Sequence, residues 1–142
     1  MKKILFFLFV VAISAAACQK KIDLQNSDLA GVWQLQEVSG GFANIKQTAA
    51  TMGYQKTLEL DKYGNMKTKK DGKLLEKGAF IVEKGKSMFS TTPALMVKIK
   101  RKDSKAANFQ TPFSVALRGS DTLVVRAECN DCQQELYVRK KK

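Results

Sequence analysis

From Gly31 onward the apolar residues fall mostly on every second position. Leu58 and Leu60 sit between Thr57, Glu59 and Asp61, and Phe80 and Val82 between Ala79, Ile81 and Glu83. Leu95, Val97 and Ile99 interleave with Met96, Lys98 and Lys100, and Phe113, Val115 and Leu117 with Ser114, Ala116 and Arg118. Leu123, Val125 and Ala127 alternate with Val124, Arg126 and Glu128, and Leu136 and Val138 with Tyr137 and Arg139. Successive side chains of a strand point to opposite faces, so this alternation predicts strands with one buried face. Turn-forming clusters divide the runs: Tyr63-Gly64-Asn65, Asp71-Gly72, Lys84-Gly85-Lys86, Gly119-Ser120-Asp121 and Asn130-Asp131. Eight or nine short strands joined by tight turns predict an all-β chain, an antiparallel up-and-down sheet. Closing it into a barrel of about eight strands removes its exposed edges.

One stretch departs from period two. Phe42, Ile45, Ala49 and Met52 are spaced as on a helix, after Ser39-Gly40-Gly41 and before Gly53. They predict one short helix after the first strand, placed to cap a barrel end; the alternative is a loop.

The N-terminus has a different pattern. Met1-Lys2-Lys3 is basic, Ile4 to Ile13 is an unbroken apolar run, and Ser14-Ala15-Ala16-Ala17 is a small-residue patch before Cys18. Ten apolar helical residues span about 15 Å, half of a hydrocarbon core of about 30 Å, so the segment reads as a signal peptide over residues 1–17. Ala15-Ala16-Ala17-Cys18 resembles a bacterial lipobox, which implies cleavage before Cys18 and lipidation of that residue. A signal cut before an incidental cysteine, or a buried core helix, is the other reading. Several acyl chains make a stable membrane anchor where one is marginal. Gln19 stands where an inner-membrane retention Asp would be, which favours the outer membrane, on its periplasmic face or at the cell surface. Residues 18–29 then read as the lipidated cysteine and a polar tether, and 30–142 as the barrel domain.

Charge and composition narrow the function. The chain of 142 residues carries a formal charge of +12, and losing Lys2 and Lys3 with the signal leaves +10. It contains no histidine. That absence removes Ser-His-Asp and Cys-His nucleophile activation, His-ligated zinc and the histidine pH switch. With no Gly-x-Ser-x-Gly and no phosphate loop, an enzyme is not expected, nor a cofactor or metal. Basic residues crowd Lys67 to Lys73, Lys98 to Lys105 and Arg139 to Lys142. An envelope address argues against nucleic acid as their partner. Anionic lipid, lipopolysaccharide, an acidic glycan or an acidic envelope protein fits the charge, beside the plain reading of a solvated surface.

Cys129-Asn130-Asp131-Cys132 lies between two strands. A two-residue Asn-Asp turn would make the cysteines the closing pair of a hairpin, about 5.5 Å apart at Cα and within disulfide range. That register sets Arg126 opposite Glu135 and Val124 opposite Tyr137. A redox pair would need a helix N-terminus, and a zinc site two further ligands.

Gly31-Val32-Trp33 opening the first strand, with Arg139 in the last, resembles the lipocalin and lipocalin-like (calycin) superfamily, especially small lipocalin-like lipoproteins of Bacteroidetes. The resemblance implies that Gly31, Trp33 and Arg139 plug one barrel end, with the guanidinium stacked on the indole. It also implies a cup for a small apolar or amphipathic ligand, lined by Leu58, Leu60, Phe80, Val82, Leu95, Val97, Ile99, Phe113, Val115 and Leu117. The alternative is that these side chains fill the interior. The protein would then be a structural or interaction lipoprotein that docks through its basic face.

Overall fold

A computed structural model of the chain describes residues 26–101 and 112–141. The segment read as a signal peptide, residues 1–17, and Cys18 lie outside the described residues.

A helical turn, α1 (Asn26–Leu29), leads into nine strands: β1 (Gly31–Gly40), β2 (Ile45–Thr48), β3 (Lys56–Leu60), β4 (Asn65–Lys70), β5 (Lys73–Gly85), β6 (Ala94–Arg101), β7 (Phe113–Arg118), β8 (Thr122–Ala127) and β9 (Gln133–Arg139). From β3 to β9 each strand pairs antiparallel with the next, and β1 joins β3 on one side and β9 on the other. Eight strands therefore close into a barrel, as the alternating pattern requires. The ninth, β2, is an extra strip. It pairs with Glu37–Gly40 of β1, beyond the Gly31–Gln34 stretch taken by β3.

Two bulges set which side chains enter the barrel. Between Leu35 and Glu37 the β1–β9 register shifts by one residue, so Val38 follows Trp33 and Leu35 into the core while Glu37 faces out to Lys46. In β5 the pairs Thr68↔Glu76 and Lys69↔Leu74 leave Leu75 as the extra residue. A bulge bends its strand and re-aims side chains, and it is common at barrel rims.

The helical spacing from Phe42 to Met52 does not produce a helix. Ile45–Thr48 is strand β2, and only one α-type turn follows, where the N–H of Met52 donates to Thr48 O at 3.0 Å. The open edge of β1 beyond β3 takes up Ile45–Thr48 in ladder pairing, and Thr48 and Ala49 precede a turn closed by Thr51 Oγ1. Partial burial of Met52 and Tyr54 against the core puts a cap near where the helix was expected. The one described helix instead precedes β1. Leu29 at its end is 1% exposed, so the folded body reaches back at least to Asn26 and residues 26–29 are no tether.

The β8–β9 hairpin also corrects the sequence reading. Its connection is the five residues 128–132, and the register pairs Leu123 with Tyr137, Val124 with Leu136 and Arg126 with Gln134. A register one residue off exchanges the two faces of a strand. Tyr137 thus points into the core at 2% exposure, and Val138 points out at 36%. The cysteines still meet: Cys129 and Cys132 are at disulfide distance, 5.3 Å apart at Cα, across a turn in which the Cys132 N–H donates to Cys129 O.

Candidate functional site

The barrel's two ends differ. At the end where β1 begins and β9 finishes, Trp33 is fully buried and its Nε1 donates to Leu29 O at 2.8 Å. The Arg139 guanidinium lies over the indole, 4.1 Å from the ring centroid. It donates to three backbone carbonyls: Nη1 to Ala30 O at 2.5 Å, Nη2 to Asp28 O at 3.0 Å and Nε to Ser120 O at 3.0 Å. One side chain thereby ties α1, the residue that leads into β1, and the β7–β8 turn to β9. Gly31 allows the approach, since a Cβ there would collide with Arg139 Nη1. Gly-x-Trp at the start of the chain's first strand and Arg139 in its last meet because β1 and β9 close the barrel.

Behind this plug the interior is not filled. A cavity of about 400 Å³ runs toward the other end, within the size range of small-molecule pockets. Of the ten side chains expected to line it, Leu58, Leu60, Phe80, Val97, Ile99, Phe113 and Val115 do. Val82, Leu95 and Leu117 do not. They face inward but sit beside the strand ends that share the plugged end, where they pack against the core instead. Leu29, Met66, Leu123 and Val125, with Leu75 and Ala127 toward the mouth, complete the apolar wall.

The mouth is polar. Lys56, Thr68, Glu76, Gln133, Glu135 and Tyr137 contribute to the lining there and just inside it. Lys56 Nζ meets Glu135 Oε1 at 2.6 Å, and the Tyr137 hydroxyl donates to Glu135 Oε2 at 2.5 Å. With side chains 23% and 28% exposed, Lys56 and Glu135 remain in reach of solvent, while the phenol ring is buried. Burial first, and then the neighbouring Glu135 carboxylate, hold the Tyr137 hydroxyl well above the usual tyrosine range. The phenol therefore stays a neutral donor over physiological pH. No cluster of three or more metal-ligating side chains stands together among the described residues.

The polar cluster escapes a search for apolar runs, yet its position follows from parity. If Arg139 packs inward over Trp33, then Tyr137, Glu135 and Gln133 lie on the same face of β9. If Leu58 and Leu60 face inward, so does Lys56. A charged residue at an inward position of a barrel strand is the signal for a functional mouth.

On the outside, the β5–β6 loop is strapped to the wall. Glu128 accepts from Ser87 Oγ at 2.9 Å and from the Met88 N–H at 2.7 Å, and Arg126 lies over the Phe89 ring at 3.8 Å. Partial burial opposes the Glu128 charge, but bonds from Ser114, Met88 and Ser87, with Arg126 nearby, hold its carboxyl below the usual range.

No protein-family model matches the chain, and no curated protein matches it. Among solved structures, a de novo designed fluorescence-activating β-barrel is similar over 82% of this chain and 100% of its own, at a TM-score of 0.43 and 14% sequence identity. A likeness of that degree carries no argument about function.

Proposed function

We propose that this protein is an envelope lipoprotein of lipocalin-like build whose barrel binds a small, mainly apolar ligand with one polar end. The observation that carries the reading is the cavity of about 400 Å³: apolar walls, a plug of Trp33 and Arg139 at one end, and polar side chains at the other. An apolar chain would lie along Leu60, Phe80, Val97 and Leu123, where burial contributes about 25 cal/mol per Å². A polar end would stay at the mouth, within reach of Lys56, Gln133 and Glu135. The N-terminal pattern supports anchoring at Cys18 in the outer membrane. The Gly31-x-Trp33 and Arg139 arrangement supports membership of the lipocalin-like group. The alternative, an interaction lipoprotein with a filled barrel, is less well supported because the interior holds this cavity.

Solvent extraction and mass spectrometry of freshly purified protein tests the reading, together with titration of a fluorescent fatty acid. A co-purifying small molecule, or saturable uptake of the probe, supports it. Ligand at 100 times its dissociation constant stabilises a one-site protein by about 2.7 kcal/mol, which thermal unfolding reads. Ala127→Trp narrows the lining near the mouth and is expected to abolish uptake, with cooperative unfolding of the variant as the check that the barrel is intact. An empty extract together with no probe uptake, in protein that unfolds cooperatively, sinks the proposal.

A further inference from the structure

At the rim beside the cavity mouth, the β4–β5 hairpin presents two adjacent leucines to solvent. Leu74 is 53% exposed and Leu75 60%. Ordinary alternation would send one of them in. The bulge at Leu75 prevents this, turning Leu75 along the mouth, which it lines, while Leu74 stays on the outer face opposite Lys69.

The lip is held rigidly. Asp71 and Gly72 have φ of +50° and +77°, the two left-handed positions of a type I′ hairpin turn closing the Lys70↔Lys73 pair. Asp71 Oδ1 accepts from the Gln55 N–H, and the Asp71 N–H donates to Gln55 O, both at 2.8 Å. Lys70 Nζ lies 4.3 Å from the Tyr54 ring centroid. The leucines therefore project from a hairpin pinned to the β2–β3 connection. Around them, residues 67–77 carry Lys67, Lys69, Lys70, Lys73 and Lys77 against Asp71 and Glu76. Lys67 stands opposite Lys77 on one side and Glu59 on the other, and Lys69 Nζ meets Glu59 Oε1 at 2.5 Å, so five lysines face three carboxylates and the lip keeps a positive excess.

We propose that this lip docks the barrel on an anionic lipid bilayer, with Leu74 and Leu75 entering the interface and the flanking lysines meeting the headgroups. Apolar side chains between lysines fit a surface that offers negative charge outside and hydrocarbon about 5–10 Å below. The charge complementarity selects anionic over neutral lipid. Because Leu75 also lines the mouth, docking would open the cavity onto the bilayer. This consequence rests on the ligand-binding reading; the docking itself does not.

Leu74→Trp tests it in the full chain. The only native tryptophan, Trp33, is fully buried at the opposite end and serves as an internal reference. With vesicles of equal phosphatidylglycerol and phosphatidylcholine carrying brominated acyl chains, the added emission is expected to shift to shorter wavelength and lose most of its intensity. With brominated phosphatidylcholine alone it is expected to stay unchanged. Lys70→Glu with Lys73→Glu in the same background should remove the response, and high salt should weaken it.

Protein that sediments with the anionic vesicles while the residue-74 emission is unaltered is attached elsewhere, including through residues 1–25, and overturns the proposal. So does failure to sediment. An equal spectral shift with poly-glutamate would assign the lip to an acidic protein, and a dimer dissolved by Leu74→Lys would assign it to a second copy; either overturns the bilayer. Probe uptake is measured separately, so docking and ligand binding can fail independently.

Discussion

The plugged end and the mouth are built from the same strands but solve opposite problems. At the plug, the indole is fully buried and polar atoms reach fixed backbone partners: Trp33 Nε1 has Leu29 O, and the Arg139 guanidinium has three carbonyls. At the mouth, Lys56, Glu135 and Tyr137 satisfy one another through flexible side chains at the edge of an empty space. Buried polar groups are cheap only when fully paired, and the plug meets that condition with main-chain acceptors that cannot move away. The difference teaches where this barrel keeps its stability and where it can change. Substitution at the plug should unfold it, and substitution at the mouth should change what it holds.

The largest expected effect is at the plug. Trp33→Ala should cost about 3–5 kcal/mol, read as a lowered denaturation midpoint with an unchanged slope. A change below about 1 kcal/mol would mean that the plug is not the stability centre. Arg139→Ala comes next, at about 2–3 kcal/mol from its hydrogen bonds and the ring contact. Arg139→Lys should recover only a minor part, because an ammonium cannot fork to three carbonyls and cover a ring.

The mouth should be milder. Tyr137→Phe removes one donor to Glu135, a loss of about 1–2 kcal/mol at neutral pH. It should also change the alkaline limb. The folded state keeps the phenol protonated above the pH at which the unfolded chain ionises, about 10. Its contribution is fully present below that pH and is lost as pH rises from there toward the folded value. Unfolding followed across the alkaline range should show a shallower decline for the variant, and identical limbs would remove Tyr137 from the account.

The smallest effect belongs to the outer strap. Glu128→Gln should change global stability by about 1 kcal/mol or less while speeding hydrogen exchange at Met88 and Phe89. The strap is sensitive to acid: the lowered carboxyl of Glu128 contributes above the ordinary glutamate range, and the contribution fades as pH falls through its folded value.

Much of the barrel is legible before folding. Leu58-x-Leu60, Leu95-x-Val97-x-Ile99 and Phe113-x-Val115-x-Leu117 declare strands and their inward faces, because period two is a property of the extended backbone itself. Asp71-Gly72 declares its hairpin for the same local reason, since those residues tolerate positive φ. The errors occur where a neighbour in space decided. Ile45–Thr48 has helical spacing, but the vacant edge of β1 made it a strand. Leu136 and Val138 read as the apolar set of their strand, with Tyr137 alternating between them. Five connecting residues in place of two shifted the register and turned the tyrosine in. Apolarity and parity alone also put Val82, Leu95 and Leu117 along the cavity, although depth in the barrel consigns them to the plugged end.

The sequence by itself determined an all-β chain, a barrel of about eight strands, most of their inward residues and the cysteine pair, because each depends on backbone geometry over a few residues. Only the tertiary structure decided that the interior is hollow toward one end, that Lys56, Glu135 and Tyr137 meet at its mouth, and that two leucines stand exposed beside it. Those features depend on barrel closure, on bulges at Gln36 and Leu75, and on register between strands distant in the chain. Their energies come from contacts that no local window contains.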